Sequence, residues 1–157
     1  MDMVIRSLAA ILLAFAIPLA SAQGLSISIG NTVAGQNYAV KTAQFIFRVN
    51  GCGDFSKAQV AAKAEGIVSV ARRSVPLDPR PVPSQPGVYA IADQWGADGT
   101  WVIAVSASCL GANAGAIVPV TAKGFVREST QLLSHEPSPA EIETALKAYA
   151  SPVSVPR

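Results

Sequence analysis

Apolar and polar residues alternate along most of this chain, in short stretches separated by glycine and proline. The clearest stretch covers residues 100–109. Trp101 begins a run of apolar positions on one face of it, and Ser106 and Ser108 lie on the other face. A period of two residues is typical of a half-buried β-strand. Comparable stretches lie at residues 25–30, 38–50, 58–65, 67–75, 87–92 and 116–126. The pattern therefore predicts an all-β chain.

One segment near the end of the chain has the helical period instead. Ser138 and Glu141 form a capping box, and Pro139 stands at the first helical position. The apolar residues that follow recur at helical spacing on one stripe; they are Ile142, Ala145, Leu146 and Tyr149. The sequence predicts a helix over residues 139–150, with its apolar stripe packed against the sheets or against a partner.

Glycine and proline indicate where strands are interrupted. Gly66 is predicted to turn or bulge the chain between two strands. Residues 76–86 contain five prolines, so this segment is predicted to be either an edge strand or a stiff polyproline crossing. Residues 111–115 are predicted to form a hairpin loop. Pro119 indicates an edge position for the last strand.

Two cysteines, Cys52 and Cys109, suggest how the strands are arranged. In an oxidising compartment an even pair most often forms one disulfide. Each cysteine ends a predicted strand, and in an immunoglobulin-like order these two strands run in the same direction in opposite sheets. A bulge at Gly51 would turn Cys52 toward the core. The bond would close a loop of about 57 residues, which the chain-entropy model values at roughly 4 kcal/mol.

The predicted fold is therefore an immunoglobulin-like β-sandwich of 6–7 strands with a short C-terminal helix. The chain begins with the three parts of a secretory signal peptide: a charged start with Arg6, an apolar core over residues 8–17, and a small-residue cleavage site that ends at Ala22. The apolar core is shorter than the roughly 20 residues that span a bilayer, and an uncleaved anchor is the alternative. The predicted organisation is a signal peptide over residues 1–22, the sandwich over 23–130, and a linker, helix and tail over 131–157. The predicted location is the periplasm or the exterior of the cell.

Charge adds little to this picture. The chain of 157 residues has a formal net charge of +2, and its aromatic residues are not interleaved with a basic stripe. No nucleic-acid partner is predicted. Arg72, Arg73 and Arg80 could bind an anionic surface, although solvated strand positions explain them more simply. After the leader, no segment is predicted to span a membrane.

The segment around Tyr89 and Trp101 carries a family resemblance. Gly87-Val88-Tyr89 and Gly99-Thr100-Trp101 resemble the paired strands of bacterial secreted domains of the YtkA and FixH kind. The resemblance implies a small immunoglobulin-like module. Some of those domains handle copper through methionine and histidine. Here Met1 and Met3 belong to the predicted leader and His135 is the single histidine, so neither a metal nor a cofactor is predicted.

No motif in the sequence indicates catalysis. A serine hydrolase would pair His135 with a serine such as Ser108 and an acid such as Asp54. The nucleophile elbow Gly-x-Ser-x-Gly that would present the serine does not occur. Neither His-Glu-x-x-His nor Cys-x-x-Cys occurs either. His135 is therefore predicted to be a solvated loop residue near Glu136, and the chain is predicted not to be an enzyme.

The predicted function is an exported, non-catalytic binding or structural module that acts on a protein or an envelope component. The candidate binding surface is one pole of the sandwich with Trp95, Asp98 and Asn113, because loops at one end of a sandwich commonly carry recognition. Tryptophan at a loop end is a frequent anchor in binding surfaces. The oligomeric state is left open.

The alternative function is metal or redox handling through Cys52, Cys109 and His135. Two free thiols and a bound metal would favour that alternative, whereas a disulfide would favour the binding module.

Overall fold

The computed structural model describes residues 24–32 and 41–150, so the predicted signal peptide over residues 1–22 lies outside the described residues. The described residues form ten β-strands and one α-helix, together with two short 3₁₀ turns. The strands are β1 (Ser26–Gly30), β2 (Ala43–Asn50), β3 (Gln59–Val68), β4 (Ala71–Leu77), β5 (Arg80–Pro81), β6 (Val88–Ala92), β7 (Thr100–Cys109), β8 (Ala112–Thr121), β9 (Gly124–Phe125) and β10 (Gln131–Leu133). The helix is α1 (Pro139–Ala150).

The strands form two antiparallel sheets. Sheet 1 has the order β1-β2-β6-β5, and sheet 2 has the order β10-β8-β7-β3-β4 with β9 paired to β8. When β1 to β8 are lettered A, B, C, C′, D, E, F and G, the sheets have the orders A-B-E-D and G-F-C-C′, which is the immunoglobulin arrangement. The predicted fold class is confirmed. The strand count exceeds the predicted 6–7 because β5, β9 and β10 have only two or three residues each, too few for a period of two to be visible.

The main core lies between the two sheets. Phe45 and Phe47 of β2 and Ile103 and Val105 of β7 are fully buried there. They occupy alternate positions because successive side chains of a strand point to opposite faces. Trp101 belongs to the same core, as the alternation predicts.

The Cys52–Cys109 disulfide is present and joins the sheets at one pole, with the two Cα atoms 5.9 Å apart. Cys109 ends β7 in sheet 2, and Cys52 follows the end of β2 in sheet 1. Gly51, between β2 and Cys52, has a φ of 82°. This left-handed conformation, which glycine adopts without steric cost, redirects the chain so that Cys52 faces the core. The predicted bulge is therefore replaced by a left-handed glycine in a bend after the end of β2.

Gly66 neither turns nor bulges the chain, contrary to the prediction. It lies within β3 directly opposite Trp101 of β7. A Cβ atom at this position would overlap the indole ring. Glycine is therefore required so that the Trp101 ring can pack directly on the β3 backbone. The hairpin turn comes later, at Ser69 and Val70, which have φ values of 48° and 65°.

The proline-rich segment is both an edge and a crossing. Pro76 lies in β4, the edge of sheet 2, and Pro81 lies in β5, the edge of sheet 1. Between them, Asp78 and Pro79 carry the chain from one sheet to the other. A missing N–H is tolerated at both edges because no neighbouring strand needs it.

Pro119 does not indicate an edge strand, and that prediction is wrong. Strand β8 has β7 on one side and both β9 and β10 on the other. The β10 ladder covers residues 115–117 and the β9 ladder covers residues 120–121, so Pro119 falls in the gap between them. The carbonyl of Pro119 accepts a hydrogen bond from the Val126 N–H at 2.8 Å.

Helix α1 covers the predicted residues and packs on the outer face of sheet 2. Its capping box is formed: the Ser138 N–H donates to Glu141 Oε2 at 2.8 Å, and the Glu141 N–H donates to Ser138 Oγ at 3.3 Å. Ile142, Ala145 and Leu146 are buried against the sheet. In residues 24–32 and 41–150, no helix is long and apolar enough to cross a membrane.

Candidate binding groove

The outer face of sheet 2 is divided into a covered half and an open half. The outward-facing Val102 and Ala104 of β7 are buried against α1. The next two outward positions, Ser106 and Ser108, are only partly buried. The open half lies toward the disulfide pole, because Cys109 ends the same strand.

The linker before α1 forms a wall at the boundary between these halves. It crosses β8 at Gly115, where a Cβ atom would overlap the carbonyl oxygen of His135 and the ring of Pro137. Only glycine lets the linker lie this close to the strand. The contact places Glu136 beside the open half.

The open half forms a shallow groove, which we call the polar groove. Six residues define it: Gln59, Ala61, Ser106, Ser108, Asn113 and Glu136. Two adjoining hollows with volumes of about 160 and 240 Å³ share Ala61, Ser106 and Glu136. The floor is hollow because its outward strand positions carry the small side chains of Ala61, Ser106 and Ser108.

Three adjacent strands place a polar row across the groove. Ser108 of β7 lies opposite Gln59 of β3 on one side and opposite Asn113 of β8 on the other. The neighbouring row has Ala61, Ser106 and Gly115 at the same three strands. Two carboxamides and a hydroxyl therefore line one end of the groove, and a second hydroxyl lies on its floor.

These polar side chains are available to a ligand. Across the described part of the chain, Gln59, Ser106, Ser108 and Asn113 make no side-chain hydrogen bond with another residue. A carboxamide offers donors and an acceptor, and a hydroxyl offers both. The row can thus bind a neutral polar group such as a peptide unit.

Charged groups flank the groove. Glu136 lies on the linker side, and Lys63 lines the hollow nearest the helix. The Lys63 Nζ atom is 3.3 Å from Glu65 Oε1, and its side chain stays about half exposed. A ligand in the groove would therefore meet a carboxylate at one wall and an ammonium group at the end next to α1.

Glu65 anchors an ion cluster between sheet 2 and α1. Burial by itself raises the pKa of Glu65, but hydrogen bonds from Ser74, Lys63 and Arg72 together lower this pKa below its ordinary value. Arg72 donates from Nε and Nη2 to Glu65 Oε2 at 3.3 and 3.2 Å. It also donates to Glu143 of α1. The guanidinium group therefore joins the sheet to the helix, and Arg72 is part of a structural cluster.

His135 pairs with Glu141 of α1, a partner that the prediction of a solvated loop residue near Glu136 does not name. Its Nε2 atom lies 3.0 Å from Glu141 Oε1. Hydrogen bonds from the Ser138 backbone and side chain, then from His135, lower the pKa of Glu141 to about 2. His135 is exposed, as predicted, and it orients the helix cap.

The predicted surface of Trp95, Asp98 and Asn113 is not one surface. Trp95 and Asp98 precede the start of β7, whereas Asn113 pairs with Ser108 near its end. The two groups lie at opposite poles because β7 has ten residues and the hairpin turn is short. Residues 111–115 are not a loop, since β8 begins at Ala112.

Trp95 is half-buried and packs against the main core. The carbonyl of Asp98 accepts a 2.7 Å hydrogen bond from Trp101 Nε1, which holds the loop before β7 in place. Both residues therefore help to close the core at the pole opposite the disulfide.

The residues of the alternative function are not brought together either. Cys52 and Cys109 are bonded to each other and buried between the sheets, while His135 lies on the outer side of sheet 2. Residues 24–32 and 41–150 contain no group of three or more histidine, cysteine, aspartate or glutamate side chains that could hold a metal ion.

Three residues of the groove are not among the predicted site residues: Gln59, Ser106 and Glu136. The alternation in β3 and β7 already places Gln59 and Ser106 on the outer face of the sheet. The position of Glu136 depends on the linker crossing Gly115, which no local pattern shows.

Comparison with known proteins gives no relative for this arrangement. No protein-family model matches the chain, and neither a curated protein nor a solved structure matches it.

Proposed function

We propose that the chain is an exported, non-catalytic binding module that holds an extended segment of a partner protein in the polar groove. One observation carries this proposal: four polar side chains without side-chain partners in the described residues line a concave floor that α1 leaves open. The outward positions of a solvated antiparallel sheet face are polar, and here several of them are also small, which leaves a hollow above the floor.

The chemistry of the groove favours a polypeptide ligand. The carboxamides of Gln59 and Asn113 can each donate to a carbonyl and accept from an N–H of an extended backbone. Glu136 and Lys63 can pair with a basic and an acidic side chain of that segment. The residues that line the groove include no aromatic ring on which a sugar could stack.

Two features support export to the periplasm or beyond the cell. The disulfide between Cys52 and Cys109 is typical of proteins that fold in an oxidising compartment. Residues 1–22 have the composition of a signal peptide. The partner would then be a protein of the envelope or the surroundings. The likeness to YtkA- and FixH-type domains remains a prediction.

Site-specific photocrosslinking tests the proposal. A photoreactive amino acid replaces Asn113 in the groove, and a matched variant carries it at Asp98, at the opposite pole. Irradiation of intact producing cells should give a discrete crosslinked protein from position 113 and none from position 98. The reverse pattern, or equal crosslinking from both positions, would contradict the proposal.

Two further measurements separate the other classes of function. Thiol titration under non-reducing denaturation should find no free thiol, whereas two thiols with a bound metal would support the redox alternative. A hydrolase screen that compares wild type with His135→Ala should show no difference in activity. A histidine-dependent activity would make the chain an enzyme.

A further inference from the structure

The two lateral sides of the sandwich differ in how their strand edges are protected. One side has the edge strands β4 and β5, which carry Arg72, Arg73, Pro76, Arg80 and Pro81. Charge and proline at an edge hinder pairing with another strand. The other side has β1 and β10, which contact each other across the sandwich and contain neither a charged residue nor a proline.

The unprotected side also exposes apolar surface. Leu132 of β10 is 59% exposed. It lines a hollow together with Ile29 of β1, Phe125 of β9, and Arg127 and Thr130. Ile29 itself is only partly buried. Large apolar side chains beside an unprotected edge are a common feature of strand-pairing interfaces.

The sequence of β1 is complementary to itself. Its five residues read Ser-Ile-Ser-Ile-Gly. An antiparallel pair centred on Ser28 would place Ser28 opposite Ser28 and Ile27 opposite Ile29. The isoleucines would then meet on the inner face, next to Leu132, and the serines on the outer face. A two-fold interface requires this kind of self-complementary patch.

We propose that β1 pairs antiparallel with β1 of a second copy of the chain, which joins sheet 1 of the two copies into one continuous sheet. In the described residues, β1 has β2 on one side and no strand on the other. The interface contains one short strand and its apolar neighbours, so it lies at the small end of specific interfaces. The dimer is therefore weak and depends on concentration. It leaves the polar groove open, because the groove lies on sheet 2.

Charge at the centre of the pair gives a direct test. Ser28 is exposed, and its hydroxyl accepts a single 3.3 Å hydrogen bond from Asn50 Nδ2. Ser28→Lys places two ammonium groups opposite each other at the two-fold axis, and Ser28→Glu places two carboxylates there. Like charges directly opposite one another across strands are destabilising. Arg48 lies opposite Ser28 in β2, so the glutamate variant gains a cross-strand partner and should fold.

Sedimentation velocity over a concentration series measures the outcome. Wild type should show a dimer fraction that rises with concentration, and each Ser28 variant alone should stay monomeric. An equal mixture of the two variants should restore dimerisation through opposite charges. Ala71→Lys, which adds the same charge at the β4 edge, should dimerise like wild type. Melting curves verify that each variant is folded.

A second variant tests the apolar part of the interface without adding charge. Leu132→Gln should weaken the dimer several-fold while the monomer remains folded, since Leu132 is exposed. The proposal is overturned if wild type stays monomeric up to about millimolar concentration, because a dimer with a Kd of about 1 mM or below would then be populated. A dimer that both Ser28→Lys and Leu132→Gln leave unchanged would place the interface elsewhere.

Discussion

The covered and open halves of the outer face of sheet 2 are built on the same strands but have different surfaces. Under α1, the outward positions of β7 and β8 are Val102, Ala104 and Ile117, all buried. Beyond the helix, the corresponding positions include Ser106, Ser108 and Asn113, which face solvent or a hollow. The pattern changes within a single strand, where the cover ends.

The outward positions of β7 and β8 are apolar where α1 covers them and polar or small where it does not. A half that a helix covers is part of a core and gains stability from apolar burial. The open half does not need apolar side chains, because no helix packs on it. Its floor nevertheless carries small residues rather than long charged ones. We interpret these small residues as leaving space for a ligand.

The largest effect should come from the centre of the covered half. Leu146→Ala removes a fully buried side chain of α1 and should lower the free energy of unfolding by about 3 kcal/mol. Ala148→Ser, at an exposed position on the same helix, should change it by less than about 0.5 kcal/mol. Urea denaturation measures both. Similar losses in the two variants would mean that α1 does not pack as described.

A smaller effect is expected at the boundary between the halves. Gly115→Ala introduces a methyl group against the linker and should cost about 1–3 kcal/mol, the range of overpacked sites. Gly53→Ala is the control, because a Cβ atom there meets nothing within 4 Å. Crosslinking from position 113 should also fall in the Gly115 variant, since the displaced linker carries Glu136. Unchanged stability would contradict the close linker contact.

The ion cluster beneath α1 should contribute less again. Glu65→Gln leaves Arg72 and Lys63 without their shared carboxylate and should cost about 1–2 kcal/mol at pH 7. Because the pKa of Glu65 is lowered in the folded state, its contribution is complete above the ordinary carboxyl pKa and is lost as the pH falls below it. Urea denaturation at pH 7 and pH 3 should therefore show the wild type losing its advantage in acid. An advantage as large at pH 3 as at pH 7 would contradict this sign.

The smallest effect is expected at the exposed helix cap. The pKa of Glu141 is lowered from 4.5 to about 2, so the stability it contributes is present above pH 4.5 and is lost as the pH falls toward 2. An NMR titration of its carboxyl carbon should give a midpoint near 2. In His135→Ala the midpoint should rise, because one of the lowering interactions is removed. A wild-type midpoint near 4.5 would show that the cap is not formed in solution.

The sequence predicts most of the scaffold, because local periodicity and capping agree with the fold. The alternation in residues 100–109 gives β7 and its inner face, and Ser138 with Glu141 gives the start of α1. The two cysteines predict the bond between the sheets. The prediction for Gly66 is wrong because glycine occurs both in turns and where a bulky side chain packs directly on the backbone. Only the position of Trp101 opposite Gly66 distinguishes these two roles.

The site is less predictable, because its residues come from separate strands and a linker. The sequence predicts Trp95 and Asn113 on one surface, but the length of β7 and the turn at Leu110 and Gly111 place them at opposite poles. The groove depends on where α1 stops covering sheet 2 and on the linker crossing Gly115. Both are long-range contacts that no short window of sequence contains.

Filling the groove without disturbing the core tests the central claim most directly. Ser106→Arg projects a long side chain from the floor of the open half, where the native hydroxyl has no side-chain partner in the described residues. The melting temperature should stay within a few degrees of wild type, as for other surface changes, while photocrosslinking from position 113 disappears. A variant that remains folded and still crosslinks to the same partner would contradict the groove as the binding surface.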